Sequence, residues 1–323
     1  MLQRMKSHDW VRRSLAASPL LALLTLGLSS VAAQGGASIL FIGNSFTFGA
    51  GSPVQFYRSG TVTDLNDEGI GGVPALFKSF TVQAGLDYHV SLETRGGSGF
   101  EFHLENKQEA LNSRPWDKVV MQGQSMLDNT KPGDATKIVA TGRQLAEFLR
   151  RRNSKVELFL MATWSRADQT YPEKGAWFGK AIDVMARDVR AGVDKAAAAA
   201  EIKKVIPVGE AWTRAIKTGV ADPNPYDGIE PNKLDLWTHD HYHASTAGSY
   251  LEALVVFGTI TGRDPRSLGD NECSGYELGL SRSQVKALQQ VAFDELAAAG
   301  LARPAPPDAA SKPAPMARCA AAR

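Results

Sequence analysis

The chain has little long apolar sequence. Its one continuous run, Leu20 to Leu28, follows a basic segment with Arg4, Lys6, Arg12 and Arg13 and precedes Val31-Ala32-Ala33. That run is too short to span a bilayer, and its flanks are those of an export signal with a small-residue cleavage site, over residues 1–33. No cysteine follows the site, which argues against a lipid anchor, and no stable membrane insertion is expected once the signal is removed. Cysteine is scarce altogether: Cys273 in a late loop and Cys319 in the tail are the two present. Export implies an oxidising compartment, where these two can pair, but sequence alone leaves the pairing open. An excess of one charge is missing too. Lys and Arg number 36 against 34 Asp and Glu, and without residues 1–33 the count is 32 against 33, a balance of −1. The slight basicity belongs to the signal, so nucleic acid is excluded as an expected partner. There is no internal repeat. The expected organisation is a signal over 1–33, one large domain over 34–300, and a Pro/Ala-rich disordered tail over 301–323.

What is present alternates. Apolar runs at Ser38–Ile42, Tyr88–Leu92, Lys118–Gln122, Val156–Ala162 and Val205–Val208 read as strands. Between and after them, Val73–Ala84, Thr136–Arg152, Glu173–Ala200 and a segment from Ser245 to Thr261 read as helices, and Ser281–Gln284 is a capping box before a last one. Strands alternating with helices predict an α/β fold, a three-layer α/β/α sandwich of flavodoxin-like type with about five parallel strands. Ligands then sit beyond the carboxyl ends of the strands, where Ser45, Gly97, Gln124 and Trp164 fall. Two long connections, Phe48–Gly72 and Trp212–Thr238, are expected to wall the site.

Ser45 closes the run Ile39-Leu-Phe-Ile-Gly-Asn-Ser45, as a strand does when it delivers a serine to the rim of a sheet. Asp240 and His243 stand three residues apart, so one turn of chain can set them together. Nucleophile, base and orienting carboxylate are the three parts of a serine hydrolase. The Gly-x-Ser-x-Gly elbow of α/β-hydrolases is absent. Instead, Gly43-Asn44-Ser45-Phe46 resembles the first block of the SGNH/GDSL hydrolase superfamily, in its Gly-Asn-Ser variant. Glu93-Thr-Arg-Gly-Gly97-Ser-Gly-Phe100 is similar to the second block, and Asp240-His-Tyr-His243-Ala-Ser-Thr-Ala-Gly248 to the last. The third block departs: where the family has Gly-x-Asn-Asp, this chain has Gln122-Gly123-Gln124-Ser125.

The resemblance covers about residues 38–262 and implies an esterase. By it Ser45 attacks the ester carbonyl, His243 takes the proton and Asp240 holds the imidazole. The oxyanion meets the N–H groups of Ser45 and Gly97 and the amide of Gln124, with Gln122 as fallback and Ser125 as a weaker substitute. No cofactor or metal is implied. The expected substrate is a small-molecule or polysaccharide ester, with carbohydrate O-acyl esters preferred and the protein secreted or periplasmic. Lipid or aryl ester hydrolysis, acyl transfer, and glycan binding without turnover are the rivals.

Three further patterns compete with this reading. His239, His241 and His243 alternate and would share one face of an extended segment, as in a metal site, but the accompanying metal-hydrolase signatures are missing. Asp64-Leu-Asn66-Asp67-Glu68-Gly69 opens like a calcium loop but has Ala75 where the bidentate Glu belongs, so a polar turn is expected. Trp164, Arg166, Tyr171, Trp177, Trp212, Tyr226 and Trp237 fall in or beside the site loops, as pocket walls or as packing. Ser98 and Ser125 are alternative nucleophiles that lack the strand–turn–helix setting read for Ser45.

Overall fold

A computed structural model describes residues 36–269 and 272–301. In chain order the elements are β1 (Ala37–Gly43), α1 (Ser45–Phe48), β2 (Thr63–Asp64), α2 (Gly72–Gln83), β3 (Tyr88–Thr94), α3 (Phe100–Asn106), α4 (Gln108–Asn112) and β4 (Lys118–Met121). There follow α5 (Thr136–Arg152), β5 (Glu157–Ala162), α6 (Ala167–Thr170), α7 (Asp183–Ala199), β6 (Lys204–Pro207), α8 (Val208–Lys217), α9 (Thr246–Thr261), α10 (Cys273–Glu277) and α11 (Arg282–Ala298). The signal read over 1–33, the tail beyond residue 301 and Cys319 lie outside the described residues. Cys273 is buried and is not a free thiol.

The strands form one parallel sheet in the order β2-β3-β1-β4-β5-β6. Without the two-residue β2 at the edge, the five longer strands follow the flavodoxin-like order, whose switch point lies between β1 and β4. The extra strand is too short to leave a period in the sequence. Both faces of the sheet are covered, as a parallel sheet requires. Ile39 and Phe41 point into one core with Phe77 of α2, Trp212 of α8, Leu254 of α9 and Leu288 of α11. Leu40 and Ile42 point into the other with Phe100 of α3, Leu145 of α5 and Val189 of α7. This period-2 alternation in an otherwise apolar strand makes the three layers.

Several helix ends obey local chemistry. The Ser245 hydroxyl accepts from Gly248 N–H at 3.2 Å, and Ser281 and Gln284 form the reciprocal capping box. The helix expected from Glu173 begins only at Asp183. The preceding residues are held in turns instead: Trp177 N–H donates to Gln169 O at 2.9 Å, and its indole to Asp188 Oδ2 at 2.8 Å. α8 starts directly after β6, so the apolar run at 205–208 hid a strand-to-helix junction. Asp64 is a loop organiser, its carboxylate accepting from the N–H groups of Asn66, Glu68 and Ile70. Among the described residues, no helix is long and apolar enough to cross a membrane.

Candidate active site

β1 runs out at Gly43, and Asn44 turns the chain into α1. The Asn44 Oδ1 accepts from Phe46 N–H at 3.2 Å, capping the short helix. Its Nδ2 donates to Ser98 O at 2.9 Å and Gly123 O at 3.2 Å, so one side chain ties together the segments that follow β1, β3 and β4. Beneath it lies Gln122, fully buried. The Gln122 Oε1 accepts from Asn44 N–H at 3.0 Å and Thr47 Oγ1 at 3.0 Å, while its amide nitrogen donates to Gly123 O. A Cβ at Gly43 would collide with Thr47 Oγ1 and Gln122 Oε1, so the turn tolerates only glycine there. Ser45 is thus held at the strand end, 7% exposed. Its N–H finds no acceptor among the described residues.

The Asp240/His243 loop is closed by a bridge between Trp237 and Ala244 and by Thr238 N–H on His243 O at 2.8 Å. Asp240 Oδ1 accepts from Thr238 Oγ1 at 2.6 Å and from the N–H groups of Tyr242 and His243 at 2.9 Å each. Its Oδ2 lies 2.6 Å from His243 Nδ1. Burial alone would raise this carboxyl, but the bonds from Thr238, the His243 ring and the two backbone N–H groups outweigh it and hold it well below the usual carboxylate range. An ionised carboxylate only accepts, so Nδ1 carries a proton, and in the neutral ring Nε2 is then the acceptor. That Nε2 is buried and has no partner among the described residues. The Phe46 ring lies 5.8 Å from the His243 ring, which packs the serine segment against the histidine loop.

The loop is a turn, not the extended segment that three histidines on one face require. His241 has φ of 55° and its ring packs at a tilt against Tyr226, centroids 4.2 Å apart, while His239 is exposed.

Past β3, Arg95 to Ser98 form a turn closed by Ser98 N–H on Arg95 O at 3.2 Å. Gly97 has φ of 72°, the left-handed region the third residue of a type II turn needs. Its N–H has no acceptor among the described residues, and neither does that of Gly99, a buried position the sequence reading passed over. Gln124, past β4, donates its amide to Gly97 O at 3.1 Å. Gly97 and Gln124 therefore meet at the rim beyond β3 and β4, and Asn44, next to Ser45, binds the same two segments. Gln122, the fallback donor, is fully buried beneath Ser45, with its amide nitrogen on Gly123 O. Ser98, too, stands between a strand and a helix, contrary to the setting read for it, and its hydroxyl lies 3.3 Å from His103 Nε2. Ser125 is buried, its hydroxyl 3.4 Å from Arg166 Nη1.

Most of the expected pocket aromatics are packing. Trp164 stacks on Phe46 at 4.2 Å and on Trp212 at 4.4 Å, and Trp212 meets Trp237 edge-on at 5.4 Å, all fully or nearly fully buried. The Trp164 indole donates to Tyr242 O at 3.3 Å and that of Trp237 to Ser165 O at 3.0 Å, so the stack braces the histidine loop. Arg166 lies 3.5 Å from the centre of the Tyr242 ring and pairs with Asp168. Tyr226, 47% exposed, remains as an open aromatic face beside the loop.

No protein-family model and no curated protein matches the chain. Among solved structures, a DUF4886 family protein from Bacteroides uniformis ATCC 8492 superposes with a TM-score of 0.57 at 21% identity, over 83% of this chain and 97% of that one. A GDSL-like lipase from Parabacteroides merdae ATCC 43184 gives a TM-score of 0.51 at 16% identity, over 70% and 95% of the two chains. With its parallel sheet and helices on both faces, the chain has the fold of the SGNH/GDSL hydrolases.

Proposed function

We propose that the protein is an exported serine esterase, secreted or periplasmic, that hydrolyses O-acyl esters, with esters on carbohydrates as the preferred class. The observation that carries this reading is the pairing of His243 Nδ1 with an ionised Asp240, which leaves a buried, partnerless Nε2 beside the segment that bears Ser45. Ser45 Oγ attacks the ester carbonyl carbon and its proton passes to Nε2. The tetrahedral oxyanion is met by the open N–H groups of Ser45 and Gly97, with Gly99 adjoining, and by the second amide N–H of Gln124. Collapse expels the alcohol, which takes the proton from Nε2. Water then repeats the sequence on the acyl-enzyme, releasing the carboxylic acid and restoring Ser45. The carbohydrate preference is supported by the exposed Tyr226 against His241, since an aromatic ring packed on the loop that carries the base suits a sugar ring.

A panel of p-nitrophenyl esters and acetylated polysaccharides tests the reading on wild type, Ser45→Ala and His243→Ala. Turnover by wild type should fall by at least about 10³-fold in either variant, and a serine-directed phosphonate should mark Ser45. A folded wild-type protein that neither turns over any ester nor takes the label would remove the esterase reading.

A further inference from the structure

A second histidine–carboxylate pair, its members ten residues apart in sequence, is buried beside the oxyanion turn. Glu93, at the end of β3, and His103, on α3, are each fully buried and contact one another through Oε2 and Nδ1. The other Glu93 oxygen accepts from Asn66 Nδ2 at 3.3 Å; that amide also donates to Thr94 O at 2.9 Å, and Lys107 Nζ donates to Asn66 Oδ1 at 2.6 Å. On the far side of the imidazole, Nε2 lies 3.3 Å from Ser98 Oγ. The three residues look like a Ser–His–Glu nucleophile, but the Ser98 hydroxyl has a nearer acceptor: it donates to Arg95 O at 2.7 Å, and His103 Nε2 stands further off at 3.3 Å. A hydroxyl has one hydrogen to give, so the shorter bond to a backbone carbonyl favours a strut between turn and helix over an activated nucleophile.

We propose that Glu93 and His103 act through Ser98 as positioning residues for the oxyanion hole; this rests on the esterase reading above. Ser98 separates Gly97 from Gly99, and every polar group it has is engaged. Its N–H and hydroxyl both go to Arg95 O, its hydroxyl oxygen to His103, and its carbonyl to Asn44 Nδ2 at 2.9 Å. Arg95 N–H is tied in turn to Gly43 O at 3.0 Å, at the foot of the serine turn. The constraint has a definite object. In a type II turn the central peptide carries the Gly97 N–H, and relaxing to type I turns that peptide over by about half a revolution, pointing the donor away. Burying a carboxylate and an imidazole costs more than an apolar pair would unless all their hydrogen bonds are made. Here they are made, and the bonds lead to the turn.

Ser98→Ala removes the link at a partly exposed position where folding is not at stake, and Glu93→Gln alters the buried end. Measured on p-nitrophenyl acetate, Ser98→Ala should lower kcat by about 10- to 100-fold with KM within twofold and the unfolding midpoint nearly unchanged. Ser98→Thr, which keeps the hydroxyl, should restore most of the rate. Deuterium uptake at the amides of residues 95–99 should rise in Ser98→Ala and Glu93→Gln while the amides of β1 stay protected, a readout that needs no activity. Should wild type prove inactive, the esterase reading falls while the exchange measurement still decides whether the turn is pinned. A kcat within twofold of wild type in Ser98→Ala, exchange at 95–99 unaltered in both variants, or phosphonate labelling at Ser98 would overturn the proposal.

Discussion

At Gln122 the side-chain amide is fully buried and bonded to Asn44, Thr47 and Gly123, whereas Gln124 two residues later is only partly buried and reaches the rim, where one of its two N–H groups donates to Gly97 O. Spacing alone puts both at the end of β4. What separates them is which face of the chain is buried, and a glutamine does not announce that. The Asp240–His243 pair and the place of Ser45 at the end of β1 were legible because they lie in residue type and interval: a serine after an apolar strand, an acid and a base one turn apart. Glu93 and His103 were not, since an acid at a strand end and a histidine on a short helix look like surface residues until the fold closes over them. Gln124 also bears the most testable step. If its free amide N–H meets the oxyanion, Gln124→Ala should lower kcat by about 10²-fold with KM nearly constant, the usual loss for one such donor. A loss below threefold would leave the hole to backbone N–H groups alone.

The elements that carry strong periodicity came through nearly to the residue. α5 occupies the predicted Thr136–Arg152, because Ile138, Leu145, Phe148 and Leu149 mark one buried face. α3 and α8 escaped for physical reasons: α3 is under two turns long, and α8 follows β6 without a loop, so its first residues read as strand. That missed helix matters to the site. Its Trp212 lies flat against Trp164, whose indole holds Tyr242 O next to His243. Trp212→Ala removes one plate of the stack from a fully buried position and should cost about 3–5 kcal/mol of stability. Because the cavity opens behind the histidine loop, kcat should fall even at temperatures where the variant stays folded. Chemical denaturation and kinetics on the same preparation check both; full activity in a destabilised variant would detach the stack from the site.

Across the whole molecule, layer order followed from alternation of strands and helices, but the distribution of buried charge did not, because it depends on which helix faces which core. α9 is the clearest case. Its Glu252 is fully buried, and neither carboxyl oxygen has a partner among the described residues. Burial pushes this carboxyl well above the usual range, so it is neutral in the folded state where the unfolded chain would ionise it. At pH below about 4.3, the unfolded value, both states are protonated and the group is indifferent to folding. As pH rises above that, only the unfolded state gains by ionising, and stability is lost by up to about 1.4 kcal/mol per pH unit until the folded value is reached. Asp240 works in the opposite sense: its depressed carboxyl contributes stability above about pH 3.9, lost as pH falls through the folded value. Replacing Glu252 by Met, similar in length and apolar, removes the first effect and leaves the second. The stability difference between Glu252→Met and wild type, measured by urea unfolding, should therefore shift toward the variant as pH is raised from 4 to 7. Both proteins should share the same loss of stability below pH 4. A difference that stays flat from pH 4 to 7 would mean that Glu252 is ionised in the folded protein and that a partner for it forms in solution.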